Sequence, residues 1–231
     1  MIVNTKKSEA LSALLIMTAA CLSVVIPLIV LKKLLFVFIF YHIIACVAVP
    51  IIDLLIIKRL SMKESLDYLG FSKIKRKSSI TVGFLHGIFF LVATIIGFLI
   101  FRDFIESGDI IGALRSWGVP EQGKWVIFFI MVIFNGIIEE IFWRGYIYGK
   151  LKDAFSNTFV ISVVTLFYTS YHLATVLSFF APSFISLQII VFILIAGLIW
   201  GWMRYKFNNI WASAIGHTLA TVGYMVVYLM V

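Results

Sequence analysis

Charge is scarce in this chain of 231 residues: Asp, Glu, Lys and Arg together make up 13% of it. A soluble domain has about 25% charged residues, so the composition excludes an ordinary water-soluble globule. Cysteine is equally sparse, and Cys21 and Cys46 both lie inside apolar runs. Buried, inert thiols are expected at such positions, and they say little about the redox compartment.

The apolar residues, 62% of the chain, are concentrated in runs of the length that crosses the bilayer core, which is about 30 Å thick. Strands of a membrane barrel would alternate apolar and polar residues, whereas these runs are apolar on every side, so helices are predicted. The predicted fold is an all-α, polytopic transmembrane helical bundle that forms a single membrane domain over 1–231. Its seven predicted spans are 11–31, 34–57, 80–101, 125–143, 158–180, 187–203 and 210–231.

The net charge of +8 would suit a nucleic-acid partner if the basic residues formed one patch. They flank the spans instead, with 14 of the 19 Lys and Arg on one side of the predicted membrane and five on the other. The positive-inside rule therefore predicts a cytoplasmic N-terminus and disfavours nucleic acid. The largest basic loop is 58–79. Its middle is predicted to be a short amphipathic helix that either lies on anionic membrane lipids or is simply solvated.

Two adjacent carboxylates, Glu139 and Glu140, lie near the end of the fourth predicted span. Ionisable groups at bilayer depth are costly and are functional candidates for that reason. Glu140 and Arg144 are four residues apart, so they share a helix face and can form an ion pair. Glu139 has no such partner and is freer to exchange protons, as a general base for water must. Asn135 lies one turn before Glu139. A structural ion pair at the interface would explain Glu140 and Arg144 but not Glu139.

Two other spans each contain one histidine. In the fifth span Tyr168 lies one turn before His172 and can orient its ring. In the seventh span Thr221 lies one turn after His217 and offers a hydroxyl on the same face. A lone membrane histidine is more often a helix–helix hydrogen-bond partner than a catalyst, so the joint occurrence of these histidines with the two glutamates is what favours a catalytic site.

Other polar residues of the predicted spans have simpler interpretations. His42 and His86 lie in no recognisable motif, and packing or interface roles are predicted for them. Asp53 is expected to reach the interface or to pair with a nearby Lys or Arg. If the fourth helix ended at 143, Glu139 would lie near the membrane surface while His172 lay roughly 20 Å deep. Matching depths predict that the fourth helix continues beyond the bilayer edge and that the fifth starts late.

At these residues the sequence resembles the CPBP family of CAAX proteases and bacteriocin-processing enzymes, also called the Abi family. The first family motif, EExxxR, is matched by Glu139, Glu140 and Arg144. The second, FxxxH, is matched at His172, with Tyr168 in place of the Phe. Each motif is short and weak alone, and the resemblance depends on their order and spacing on separate spans.

The last family motif is a His followed four residues later by Asn. His217 matches the His, whereas Thr221 replaces the Asn. The run-up to this motif is also similar to the family, at Gly197, Gly201, Asn209, Trp211 and Ala212. The resemblance covers about 125–221, which is the expected catalytic core.

The resemblance implies a helical bundle around a polar cavity that opens towards the cytoplasmic side. In this family the residue matching Glu139 is the base for a hydrolytic water, and Glu140 supports it. The first histidine, His172 here, assists the water or the glutamate. The second, His217, stabilises the oxyanion together with the residue at the place of Thr221. A hydroxyl is shorter than an amide, and losing one oxyanion donor lowers a rate by about 10²–10³, so Thr221 bears on the level of activity.

Cofactor use stays open at this point. Glu139, His172 and His217 can form a His₂Glu set like that of zinc peptidases. The HExxH helix motif is absent, and a glutamate mechanism without a bound ion also fits the residues. Zinc is the one metal that the resemblance brings into consideration.

The expected function is an intramembrane endopeptidase that cuts a membrane-associated peptide or a lipidated protein. Bacterial relatives act in peptide processing, quorum signalling or bacteriocin immunity, so a multi-pass protein of a bacterial cell membrane is expected. Thr221 favours an alternative, a catalytically weak or inactive member that serves as a membrane binding or immunity scaffold. A proton-coupled carrier would also use membrane Glu and His, but the paired interrupted helices typical of carriers are not evident. The sequence does not indicate an oligomeric state.

Overall fold

A computed structural model describes residues 2–105, 107–119 and 121–230 of the protein, and the regular elements in these ranges are helices. Seven of them are long and apolar enough to cross a membrane, which confirms the predicted all-α membrane fold and its number of spans. These are α1 (Lys7–Leu31), α2 (Leu34–Ile57), α4 (Arg76–Phe101), α6 (Lys124–Leu151), α7 (Asn157–Phe180), α8 (Phe184–Phe207) and α9 (Trp211–Met230). Two shorter helices lie in connecting segments: α3 (Met62–Tyr68) and α5 (Ser107–Ser116).

Short polar residues set several helix ends. Ser61 begins α3 with a reciprocal cap, in which its hydroxyl accepts from the N–H of Glu64 and its own N–H donates to the Glu64 carboxylate. Ser183 and Ser186 form the same kind of cap at the start of α8. Asn208 ends α8 with a positive φ of 52°, a conformation that asparagine tolerates better than most residues. Such compact ends allow short connections between successive spans.

Helices α4 and α9 run parallel and pack along small residues. A Cβ on Gly83 would lie 2.5 Å from the carbonyl oxygen of Ala212, and a Cβ on Gly223 would lie 2.9 Å from the Cα of Leu91. Close approach of two backbones at small residues is a common way for membrane helices to associate. These contacts fix the axial position of α9 and therefore of His217.

Helix α6 crosses α9 in the opposite direction and is longer than predicted. It spans 28 residues and ends at Leu151, so the predicted span end at 143 is too early and the expected continuation of the helix is present, whereas α7 starts at Asn157 and not late. The error arises because Arg144 and Lys150 resemble interface charges in the sequence, although both are buried against partners. Two π-helical stretches, Met131–Asn135 and Ile141–Ile147, flank the segment that contains the two glutamates. Stretches of this kind are frequent at functional sites.

A cluster of charged side chains ties α1 and α2 to the end of α6. The Nζ of Lys150 lies 2.6 Å from Glu9 Oε2 and 2.9 Å from Asp53 Oδ2. Lys58 lies 2.9 Å from the other Glu9 oxygen, and the Tyr146 hydroxyl donates to Asp53 at 2.9 Å. Asp53 therefore pairs with lysines, as predicted.

The basic loop 58–79 contains the predicted helix, α3, and the loop packs against the end of α6. A Cβ on Gly149 would lie 2.7 Å from the ring of Tyr68, and one on Gly145 would lie 2.9 Å from the carbonyl oxygen of Leu69. Asn209, fully buried, donates from its amide to the carbonyl of Ile74 at 2.8 Å. The loop is thus held to the bundle through its middle and through the backbone of Ile74. Its contact with membrane lipids stays a prediction.

Candidate active site

Glu140 and Arg144 form the predicted ion pair in the middle of the bundle. Arg144 Nη1 donates to Glu140 Oε1 at 2.7 Å, and both side chains are fully buried. The other guanidinium nitrogen, Nη2, donates to the carbonyl of Gly197 at 3.2 Å. The guanidinium also lies over the rings of Tyr168 and Trp200, at 4.5 and 5.5 Å from their centroids. A buried pair needs hydrogen bonds of this kind to offset the loss of hydration.

His217 lies between the two glutamates. Its Nδ1 is 3.1 Å from Glu140 Oε1, and its Nε2 is 3.7 Å from Glu139 Oε2. A carboxylate paired with arginine is an acceptor, so Nδ1–H is the donor in the first contact. The imidazole stacks on Trp200 with ring centroids 4.3 Å apart and an interplanar angle of 16°. Nε2 is therefore the nitrogen that faces Glu139 and the Tyr168 hydroxyl, which lies 3.4 Å away.

Glu139 occupies a different environment from Glu140. It is 3% exposed, and its Oε2 has no hydrogen-bond partner in the described part of the chain. Its nearest ionic contact among the described residues is the 3.7 Å approach of His217. Glu140 also has an unpartnered oxygen, Oε2, but its Oε1 accepts hydrogen bonds from Arg144 and His217. The two carboxylates therefore differ in that Glu139 makes no hydrogen bond to a cationic side chain, and this difference suits a base acting on water.

His172 joins the cluster through Tyr168. Its Nδ1 donates to the backbone carbonyl of Tyr168 at 2.7 Å, which leaves Nε2 as the free nitrogen. The imidazole also packs on the rings of Tyr168 and Tyr171, at 4.6 and 4.3 Å. Because the Tyr168 ring lies edge-on to His217 at 5.9 Å, both histidines border one tyrosine. The structure therefore brings together the histidines of the fifth and seventh spans.

Asn135 and His42 form a second polar group one turn away from Glu139. His42 Nε2 lies 2.8 Å from Asn135 Oδ1, and Asn135 Nδ2 lies 3.4 Å from the hydroxyl of Tyr224. His42 also packs against Phe38, with centroids 5.3 Å apart. The predicted packing role of His42 is therefore incomplete. The position of His42 inside an apolar span could have indicated this contact, because a histidine in a membrane span needs a polar partner.

Thr221 is fully buried on the face of α9 that includes His217. Its hydroxyl, like Glu139 Oε2 and His42 Nδ1, has no hydrogen-bond partner among the described residues. Buried polar atoms are nearly always satisfied by protein or by water. Several unsatisfied atoms on facing helices therefore indicate a site for polar ligand atoms.

Arg204 is a buried residue that contacts the backbone of α6 at Arg144, and the sequence analysis did not identify it. It is 1% exposed, and its Nε donates to the backbone carbonyl of Arg144 at 2.9 Å. Its guanidinium lies over the ring of Tyr148, 5.0 Å from the centroid. Near the end of a span, an arginine resembles an interfacial charge, so its sequence position hides this structural role.

A zinc site needs at least three donor side chains that converge on one point. Among the described residues, no three His, Cys, Asp or Glu side chains are arranged to hold a metal ion. His217 Nε2 faces Glu139 and the Tyr168 hydroxyl, but His172, His217 and Glu139 do not form a three-ligand group. The residues as placed do not fit the zinc set considered from the sequence.

The site is closed in this structure. Glu139 and His217 are each 3% exposed, whereas His172 is partly exposed. Two clefts of the described residues lie elsewhere, one an apolar groove between α1 and α2 and the other beside the turn at Ala181. Neither is the polar cavity that the family resemblance implies.

Residues 121–223 match the model of a family described as Rce1-like, type II CAAX prenyl endopeptidase Rce1-like. The matched range includes all three motifs and confirms the resemblance to CAAX proteases predicted from them. The match covers 103 of the 231 residues, so it shows that this region is similar to CAAX-protease-type membrane enzymes. No curated protein and no solved structure matches the chain significantly.

Proposed function

We propose that this CAAX-protease-type membrane protein is an endopeptidase in which Glu139 activates water to cleave a membrane-associated peptide. The observation that supports this most directly is the contrast between the two glutamates. Each carboxylate has a buried Oε2 without a hydrogen-bond partner among the described residues, but Glu140 Oε1 is bonded to Arg144 and His217, whereas Glu139 has no bond to a cation and faces His217 Nε2 at 3.7 Å. A base with free lone pairs beside a fixed imidazole is suited to water activation.

In the proposed reaction Glu139 takes a proton from a water molecule while the water oxygen attacks the scissile carbonyl carbon. The carbonyl π electrons move to oxygen, and the resulting oxyanion accepts a hydrogen bond from Nε2 of His217 in its doubly protonated form. Collapse of the tetrahedral intermediate breaks the C–N bond, and the proton held by Glu139 passes to the leaving amine. His172 is proposed to hold the attacking water through its free Nε2.

Glu140 and Arg144 are positioning residues in this scheme. Glu140 accepts from His217 Nδ1 at 3.1 Å and so fixes the imidazole orientation, while Arg144 keeps Glu140 ionised. The stacked ring of Trp200 restricts tilting of the imidazole. Tyr168 orients both histidines, with its carbonyl on His172 and its hydroxyl near His217. Rigid placement of this kind supplies much of the rate in hydrolytic enzymes.

The proposed substrate class is a peptide with a lipid-modified cysteine near its C-terminus. The family name supplies the prenyl group and the C-terminal cleavage position, and the depth of the site among membrane helices suits a substrate anchored in lipid. Peptides such as pheromones or bacteriocin leaders belong to the same chemical class when they are membrane-associated. No metal is included in the scheme, because the donor set does not fit one.

The test is cleavage of a farnesylated Cys-aliphatic-aliphatic-Met peptide by purified protein in lipid nanodiscs. We expect Glu139→Ala to lower the rate by about 10³ or more, which is near the upper range for loss of a general base. The matched control is Asp153→Asn, since Asp153 is an exposed carboxylate outside the spans. A chelator should leave the wild-type rate unchanged. Normal cleavage by Glu139→Ala, or its abolition by the chelator, would refute the mechanism.

A scaffold that binds peptides without cleaving them is the second candidate. Thr221 at the place of the family Asn and the closed site favour it. The two functions separate in a cell-based assay with variants Glu139→Ala, His172→Ala and His217→Ala. Equal function of all three with the wild type would support the scaffold, whereas loss in all three would support hydrolysis.

A further inference from the structure

Asn135 faces the same inter-helix space as Glu139. The two residues are four apart on α6, about 6 Å along its axis. At this level α6 and α9 are in backbone contact, because a Cβ on Gly136 would lie 2.8 Å from the Cα of Thr218. Asn135 is 5% exposed, so its amide is directed into the protein. A polar side chain at bilayer depth is energetically costly, so a functional role is the first hypothesis for this amide.

The facing residues of α9 follow in matching order. Glu139 approaches His217, and Asn135 approaches Tyr224, seven residues further along α9. The helices are antiparallel, so Thr221 lies on α9 between these two contacts. The unpartnered Thr221 hydroxyl and the unpartnered Glu139 Oε2 therefore belong to the same stretch of the interface as the Asn135 amide.

His42 determines which end of the amide faces this space. Its Nε2 lies 2.8 Å from Asn135 Oδ1, an acceptor, so Nε2–H is the donor. The carbonyl oxygen of the amide is thereby used, and the NH₂ group is directed away from His42. Among the described residues, this NH₂ donates to the Tyr224 hydroxyl at 3.4 Å, a long and weak contact. An amide donor thus remains available for stronger bonding.

We infer that the Asn135 amide, oriented by His42, donates a hydrogen bond to the scissile carbonyl oxygen and stabilises the oxyanion together with His217. This inference rests on the proposed function. It assigns an amide donor to a site where the α9 position, Thr221, offers only a short hydroxyl. Asn135 contacts the substrate in this scheme, and His42 is its positioning residue.

Kinetics of four variants in nanodiscs test the assignment. Asn135→Leu keeps the branched side-chain shape but removes the donor, and kcat should fall by about 10²–10³ while KM changes less than about threefold, as for loss of one oxyanion donor. His42→Ala should lower kcat by a smaller factor, and His42→Gln, whose amide can also donate, should recover part of it. Tyr205→Phe removes a hydroxyl from the exposed face of α8 and should leave kcat unchanged.

Inhibitor affinity distinguishes a purely structural role of Asn135 from oxyanion stabilisation. A farnesylated peptide aldehyde hydrates to a tetrahedral form that resembles the intermediate, and the matching alcohol does not. We expect Asn135→Leu to weaken aldehyde binding by about 10²-fold and alcohol binding less than about threefold. Equal weakening of both ligands, or an unchanged kcat with an unchanged melting temperature, would overturn the assignment.

The outcomes also separate this inference from the proposed function. If Glu139→Ala abolishes cleavage and Asn135→Leu does not, the hydrolase mechanism stands and the role of Asn135 is wrong. If Glu139→Ala cleaves normally, the proposed function itself fails. Aldehyde and alcohol affinities are measured by direct titration, so they test Asn135 even for a peptide that is cleaved slowly.

Discussion

Replacing Gly136 by alanine tests the geometry on which the site depends. The added Cβ would lie 2.8 Å from the Cα and from the backbone nitrogen of Thr218. Ordinary van der Waals contact begins at 3.4 Å, so α6 and α9 must separate by about 0.6 Å. His217 is the neighbour of Thr218 and would move with it. Its 3.1 Å contact with Glu140 would lengthen towards about 3.7 Å, beyond hydrogen-bond range.

The expected loss follows from that displacement. A misplacement of about 1 Å at a catalytic group can lower a rate by about 10², so Gly136→Ala should lower kcat by about 10- to 100-fold. This corresponds to about 1.4–2.7 kcal/mol of transition-state stabilisation. Overpacking should also lower the free energy of unfolding by about 1–3 kcal/mol. Cleavage kinetics and thermal unfolding in nanodiscs measure the two effects.

Gly97→Ala is the matched control, because nothing lies within 4 Å of a Cβ at that position in α4. It should keep the wild-type rate. Thr218→Ala in the Gly136→Ala background should give no rescue, since the clash involves backbone atoms as well as the Thr218 hydroxyl. A fully active and fully stable Gly136→Ala variant would show that the two helices are not in backbone contact, and the site geometry derived from that contact would be refuted.

Two further predictions concern buried charge. Arg144→Met should destabilise the protein by about 3–5 kcal/mol because Glu140 is left buried and unpaired. Adding Glu140→Gln should recover at least about 1 kcal/mol of that loss. A melting temperature of the double variant below that of Arg144→Met would contradict this. Lys150→Met should lower the melting temperature by roughly 3–9 °C through loss of contacts to Asp53 and its neighbours. Lys152→Met, whose side chain is less buried, should lower it by less than about 2 °C.

The membrane architecture was predictable because hydrophobic length is a local property of the sequence. The end of α6 was not, since it depends on distant partners: Lys150 is stabilised by Glu9 and Asp53, which come from two other helices. In a local stretch of sequence, Arg144 and Lys150 are indistinguishable from charges at the membrane surface. The predicted continuation of this helix beyond 143 removes the mismatch in depth, because Glu139 lies 12 residues before the end of α6 and His172 lies 15 residues after the start of α7.

The candidate site was predictable where short spacing defines it. The four-residue separations of Glu140 from Arg144 and of Tyr168 from His172 correspond to contacts in the structure. The contact between His42 and Asn135 joins residues 93 positions apart, and no local pattern indicates it. The roles proposed for these residues stay predictions until the variants are measured.

The cluster of Glu9, Asp53, Lys58 and Lys150 has a consequence for biogenesis. The first two helices emerge from the ribosome before α6, so the anions that neutralise Lys150 are in place when that lysine arrives at the bilayer. A fragment limited to 121–223 would lack those anions and His42, although it contains every motif of the family match. The N-terminal hairpin would thus serve as a template for insertion of α6, and the region of the family match would not assemble alone.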